Sequence, residues 1–210
     1  MATMLVSGAT GGLGSVVVQR AKDAGWNVIG LSYSDGDLSS EHVVEQIVRE
    51  LPKDLSAVIH LVGGIRAGTS IDETVLSDFQ EMLSVNLIST FNIFHATMPL
   101  LRKNGGGSVL TVGAQSVLHP IANLAAYTAS KAAVVALTMA LAEEGKQFGV
   151  RANCVVPSTI RTEANLSWAS TDQAAEFVTP EEIADTMMHL SSASCGVSGA
   201  VIPMFGKIPY

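Results

Sequence analysis

The sequence predicts an α/β fold: a doubly wound parallel sheet of about six strands with helices on both faces. Short β-branched runs alternate with longer helical stretches along the chain. Each is a nearly continuous apolar run without in/out alternation, as expected of strands covered on both faces. Of the 210 residues, 48% are hydrophobic and 15% charged, a globular composition with apolar mass for one sizeable core. A chain of ~200 residues buries roughly 70% of its unfolded surface around a single core, so one domain spanning residues 1–210 is expected.

The predicted strands, in order, are 3–7, 27–31, 57–62, 108–112 and 152–156, with a last one near 200–204. Helical periodicity falls between them, at 14–24, 40–51, 77–103, 125–148 and 180–191. The segment 32–39 is too short for another crossover, since a parallel strand needs about a dozen residues to return. This leaves six strands, one fewer than a seven-stranded doubly wound sheet.

Twelve Lys and Arg against nineteen Asp and Glu give a net charge of −7, which repels phosphate backbones and anionic lipid. Neither nucleic acid nor a membrane is expected as a partner. The longest nearly unbroken apolar run, 132–142, falls short of the roughly 18–20 residues that span a bilayer, and residues 1–12 lack a basic leader pattern. A soluble, cytoplasmic protein is expected. Cys154 and Cys195 have neither ligand spacing nor a disulfide-rich setting and are read as reduced core residues. His42, His60, His95, His119 and His189 are scattered without metal-ligand spacing, so no metal site is predicted.

The run Ser7-Gly8-Ala9-Thr10-Gly11-Gly12-Leu13-Gly14 stands between the first strand and the first helix. A helix N-terminus offers unpaired N–H groups and a positive dipole end, and glycine lets a pyrophosphate approach the backbone. The G-x-x-x-G-x-G spacing therefore points to a dinucleotide. Tyr127 and Lys131, four apart on the helix 125–148, share one helical face. An ammonium near a phenol favours phenolate, and on this reading Lys131 lowers the pKa of Tyr127 from near ~10 to make it a usable acid or base.

These features resemble the short-chain dehydrogenase/reductase family, whose members have a Rossmann-like fold, and the resemblance covers nearly the whole chain. Gly8, Gly12 and Gly14 match the family's cofactor glycines, with Gly11 and Leu13 in the same turn. Asp37-Leu38 resembles its adenine-contacting acidic pair, and Pro157-Ser158-Thr159-Ile160-Arg161-Thr162 resembles the stretch around the nicotinamide, which implies cofactor contacts at Pro157, Ile160 and Thr162. Gly63 and Gly64 keep the small residues bordering the cofactor, but Leu61 and Val62 stand where the family has asparagines that brace the sheet. Tyr127-Thr128-Ala129-Ser130-Lys131 is the family's Y-x-x-x-K signature. The resemblance implies that Tyr127 is the acid/base, that Lys131 also holds the nicotinamide ribose, and that Asn86 completes a proton relay.

The implied cofactor is NAD(P). Ser32 at the end of the second strand can hydrogen-bond a free ribose hydroxyl or a 2′-phosphate, but no Lys or Arg lies nearby and Gly11 stands where NADP enzymes of the family often carry a base. The balance leans slightly to NAD. Family members usually place a catalytic serine thirteen residues before the tyrosine, and here that position is Ala114. Gln115 or Ser116 could supply a donor instead, or serve only as polar loop residues. Dihydropteridine reductases also lack the serine and have a segment similar to Val62-Gly63-Gly64, so a pterin-like substrate is an alternative to a small carbonyl or alcohol. A non-catalytic dinucleotide sensor is another. Trp168 and Phe177 lie where the family keeps a substrate lid. The helical stretches 79–101 and 125–142 are apolar around most of their circumference, which predicts a homo-oligomer with these two helices at a twofold interface, and the family resemblance implies a homodimer or homotetramer.

Overall fold

The computed structural model describes residues 2–208; Met1, Pro209 and Tyr210, included in the domain expected from the sequence, lie outside the described residues. Six strands, β1 (Thr3–Ser7), β2 (Asn27–Leu31), β3 (Leu55–His60), β4 (Gly107–Val112), β5 (Val150–Pro157) and β6 (Val201–Met204), form one parallel sheet in the order β2-β1-β3-β4-β5-β6. The winding reverses between β1 and β3, and their carboxyl ends open the crevice in which such sheets hold ligands.

Strand side chains alternate between two cores because the strand period is two. Met4, Val6, Ala57 and Ile59 pack with helix α1 (Gly14–Asp23) and helix α9 (Pro180–Ser191) on one face. Leu5 and Val58 point the other way, onto helix α2 (Glu41–Arg49), helix α4 (Ser89–Lys103) and helix α6 (Ala125–Gly145). Helix α9 starts on a capping box, Thr179 with Glu182, and has Pro180 in its first turn. Its last carbonyls are taken by Arg151 of β5, whose Nη1 donates to Leu190 O (2.6 Å) and Nη2 to Ser192 O (2.9 Å).

The predicted strand 57–62 lies two residues earlier, at Leu55–His60, because the chain after Leu61 turns away through Gly63 and Gly64 to wall the crevice. The predicted continuous helix 77–103 is broken into helix α3 (Leu76–Met82), a π-helical turn (Leu83–Ile88) and α4. The hydroxyl of Ser89 donates to Val85 O and that of Thr90 to Asn86 O, each at 2.6 Å. Such back-bonding from Ser and Thr loosens the regular ladder, and π-turns recur at functional sites. The short helices α5 (Gln115–Leu118), α7 (Glu163–Leu166) and α8 (Thr171–Glu176) belong to loops at the carboxyl end of the sheet.

Candidate active site

The turn between β1 and α1 fits a pyrophosphate. Gly8 has φ +77°, and a Cβ there would lie 3.2 Å from the backbone of Leu61 and Val62; a Cβ on Gly14 would overlap the Gly8 carbonyl oxygen. Only glycine permits this approach. Among the described residues, the N–H groups of Gly12, Leu13 and Gly14 make no hydrogen bond and stand at the N-terminus of α1. Gly12 also abuts Thr162, since a Cβ on Gly12 would lie 2.8 Å from the Thr162 methyl. The phosphate turn thus meets the stretch beyond β5, where Pro157, Ser158, Thr159 and Ile160 line the adjoining cleft.

At the adenosine end, Ala9 N–H donates to Leu31 O, which ties the glycine turn to the end of β2. Ser32 follows, its N–H and hydroxyl both donating to the Asp35 carboxylate (2.7 and 2.8 Å) in a 3-10 turn that leaves Tyr33 98% exposed. These bonds hold the Asp35 pKa below the usual carboxylate range. Asp37 accepts from the N–H and hydroxyl of Ser39. The side chain of Leu38 is part of the core, and its carbonyl accepts from Asn92.

The cleft holds about 430 Å³ between the glycine turn, the Gly63-Gly64 segment, α5, the start of α6 and the β5 exit. Tyr127 and Lys131 both line it. Lys131 Nζ donates to Val112 O (2.9 Å) and crowds Gly63, where a Cβ would lie 3.0 Å from Nζ. Burial pushes the lysine down to about 8 and the tyrosine phenol up to about 12. The expected lowering of Tyr127 by its neighbour is therefore corrected: desolvation governs both groups, and the ammonium is turned to the β4 carbonyl. Tyr127 is a protonated phenol at neutral pH.

Asn86 does not line the cleft. Its carboxamide is buried and clamps the Gly64 backbone, Oδ1 accepting from Gly64 N–H (2.9 Å) and Nδ2 donating to Gly64 O (3.0 Å). Nδ2 also donates to Ser130 Oγ (2.9 Å), whose hydroxyl donates to Tyr127 O (2.7 Å). The π-turn thereby fixes both the glycine segment and the first turn of α6.

The sequence gives His60 no metal-ligand spacing and no assigned role, and the geometry gives it a specific structural task. Its Nδ1 pairs with Ser7 Oγ (2.6 Å) and its Nε2 with Ser89 Oγ (3.2 Å), joining β1, β3 and the start of α4. Complete burial, with Lys131 nearby, lowers its pKa to about 3, so the ring is neutral. His60 braces this part of the sheet where Leu61 and Val62 replace the asparagines of the resembled family. A histidine within the apolar run 57–62 was the available signal.

Ala114, the N-terminal flank of α5, lies in the cleft wall without a hydroxyl. Gln115 and Ser116 share that wall. Of the two aromatics beyond β5, Trp168 reaches the cleft and is 61% exposed, whereas Phe177 is 8% exposed and packs under it with ring centroids 5.8 Å apart. The lid expectation is corrected for Phe177, which anchors the base of the segment: its neighbour Val178 bridges to Ile160.

A phosphate cradle that opens into a cleft bearing a tyrosine and a buried lysine is the layout of a nicotinamide-dependent oxidoreductase of the Rossmann class. Residues 31–173 match the profile of the family described as short chain dehydrogenase. The chain belongs to the short-chain dehydrogenase family and is a nicotinamide-dependent oxidoreductase. Relatives include the short chain dehydrogenase adrF of Penicillium roqueforti, 26% identical over 96% of this chain and 94% of that protein. The 2,3-dihydro-2,3-dihydroxybenzoate dehydrogenase of Escherichia coli is 27% identical over 89% of this chain and 88% of its own. Among solved structures, ElxO with NADP bound shares the fold at TM-score 0.90 and 20% identity, covering 98% of this chain and 97% of that one. The 3-ketoacyl-(acyl-carrier-protein) reductase from Brucella melitensis complexed with NADH does so at TM-score 0.90 and 19% identity, covering 99% and 98%. These matches favour neither the dihydropteridine reductase nor the sensor alternative.

Proposed function

We propose that the protein interconverts a neutral, predominantly apolar carbonyl compound and its alcohol, with NAD(H) as the preferred cofactor. The lining of the cleft carries the substrate reading: Ile65, Ile121, Leu124 and Trp168 line it together with Tyr127, and among the described residues that line it Lys131 is the one charged group. A bound nicotinamide would supply the hydride; Gly12, Leu13 and Gly14 would hold its pyrophosphate, and Lys131 its ribose. Neutral aryl and alkyl ketones should be reduced with NADH, and their carboxylate-bearing analogues at least tenfold more slowly in kcat/KM, because a carboxylate would be buried against apolar walls. NADH binding without turnover of any ketone would overturn the reading.

The cofactor preference rests on Asp35. Its anionic carboxylate is fixed beside Ser32, and neither the 8–14 turn nor the 32–40 segment holds a Lys or Arg. A 2′-phosphate dianion would meet like charge without a countercharge. In fluorescence titrations NADH is expected to bind at least tenfold more tightly than NADPH, and Asp35→Asn to narrow the ratio. Tighter binding of NADPH by the unmodified protein would reverse the assignment.

The protein is further expected to associate as a homodimer or homotetramer through α4 and α6. Phe91, Phe94, His95, Met98, Leu137 and Ala140 line a groove between them, with Phe91 46% exposed. The stretch Ala125–Phe148 is long and apolar enough to cross a membrane by length and composition, and 39% of its most apolar window is buried, so an apolar face is left open. Lys131 and Tyr127 tie that helix to the cleft, and a second copy is the occupant that covers the open face. Sedimentation at micromolar concentration should show a dimer or larger; a stable 21.9 kDa monomer would refute this. Cys154 and Cys195 are buried and unpaired, which suits a reducing, cytoplasmic compartment.

A further inference from the structure

Reduction of a carbonyl builds negative charge on its oxygen, and preorganised donors aimed at that oxygen lower the barrier. Tyr127 supplies one donor, and Ala114 supplies none. The cleft wall nevertheless holds a hydroxyl with an unspent proton. Ser116 is 3% exposed, and its oxygen is pinned by the hydroxyl of Thr128, the residue after Tyr127, which donates to it at 2.9 Å. Ser116 donates to no protein acceptor among the described residues. The nearby serine hydroxyls have spent their protons: Ser158 donates to Phe205 O and Ser130 to Tyr127 O. Gln115 and Thr159 are half-buried, and among the described residues no hydrogen bond fixes either side chain as Thr128 fixes Ser116.

We infer that Ser116 is a second catalytic donor, hydrogen-bonding the substrate oxygen alongside Tyr127. The inference rests on the carbonyl-reduction reading above. The carbonyl carbon takes the hydride, and with it both electrons, from the reduced nicotinamide; the oxygen takes the proton of Tyr127; Ser116 keeps its own proton and contributes only its hydrogen bond. Thr128 acts through Ser116 as a positioning residue, orienting the hydroxyl so that its free proton faces the cleft.

The test uses the full chain with NADH and the fastest-reduced member of the neutral ketone panel. Ser116→Ala should lower kcat roughly a hundred- to thousand-fold, the range for loss of one donor from such a site, with NADH affinity changed less than threefold. Installing Ala114→Ser in the Ser116→Ala background should restore at least tenfold, since a hydroxyl is returned to the same wall from a neighbouring position. A purely structural role for Ser116 would not be rescued in this way. In the Tyr127→Phe enzyme saturated with NADH, the 13C resonance of a carbonyl-labelled probe ketone should move upfield when Ser116→Ala is added, as its remaining donor is lost.

Activity of Ser116→Ala within threefold of the unmodified enzyme overturns the inference, as does a loss that Ala114→Ser leaves untouched or an equal loss from Gln115→Leu. Failure of the carbonyl reading itself looks different: no panel member is reduced, or Tyr127→Phe stays active, and the inference falls with it.

Discussion

Tyr127→Phe is expected to lower kcat by about 10²–10⁴-fold, the usual span for removing a positioned general acid, while leaving NADH affinity within about threefold. The substitution removes one oxygen from a half-buried ring and keeps the rest of the cleft wall. Burial holds the phenol at about 12, so at neutral pH it enters the cycle already carrying the proton that reduction requires. Reduction should then be nearly flat between pH 6 and 8, and alcohol oxidation, which needs phenolate, should rise through the alkaline range. Stopped turnover with intact NADH fluorescence enhancement is the expected pattern. A Tyr127→Phe enzyme with near-normal kcat would remove the acid assignment and the proposed chemistry.

The parts of this site that could be read from sequence are those with fixed local spacing. Gly8, Gly12 and Gly14 are legible because the turn sets Gly8 against the backbone of Leu61 and Val62, Gly12 against Thr162 and Gly14 against the Gly8 carbonyl, leaving no room for a side chain. Tyr127 and Lys131 are legible because a helix puts residues four apart on one face. All six strands are legible because each is a short, largely apolar run between helical stretches or turns.

What escaped did so for three physical reasons: a local change of bonding, contacts between residues far apart in the chain, and burial. The break at Leu83–Ile88 was hidden inside an apolar helical pattern, because a π-turn keeps helical residue types and differs only in which carbonyl each N–H or hydroxyl reaches. Asn86 was identified, but its bonds to Gly64 and Ser130 span 22 and 44 residues. His60 depends on Ser7 and Ser89 in the same way. The sign of the Tyr127 shift escaped for a different reason: helical spacing brings Lys131 alongside, but burial decides the balance, and burial is a property of the finished fold.

Lys131→Met should weaken NADH binding at least tenfold and remove most turnover, yet make the cofactor-free protein more stable at neutral pH. The amine is buried, and desolvation lowers its pKa from 10.5 to about 8. Below pH ~8 it is charged in both folded and unfolded chains, and the folded state bears the full desolvation cost, on the order of 3 kcal/mol. Between pH ~8 and ~10.5 the unfolded chain still holds a proton that the folded chain has released, so stability of the unmodified protein rises with pH. Above that window both forms are neutral and the cost is gone. Methionine has nearly the same reach and no charge, but it leaves Val112 O without the donor it has now at 2.9 Å, which returns roughly 1–2 kcal/mol. The net gain expected for Lys131→Met is therefore about 1–2 kcal/mol at pH 7, vanishing or reversing by pH 10.5. Denaturant unfolding of the cofactor-free proteins at the two pH values checks both the size and the sign. A variant less stable than the unmodified protein at pH 7, by a margin that does not change with pH, would show that the buried ammonium is compensated in the empty site and that its depressed pKa is not a cost carried for function.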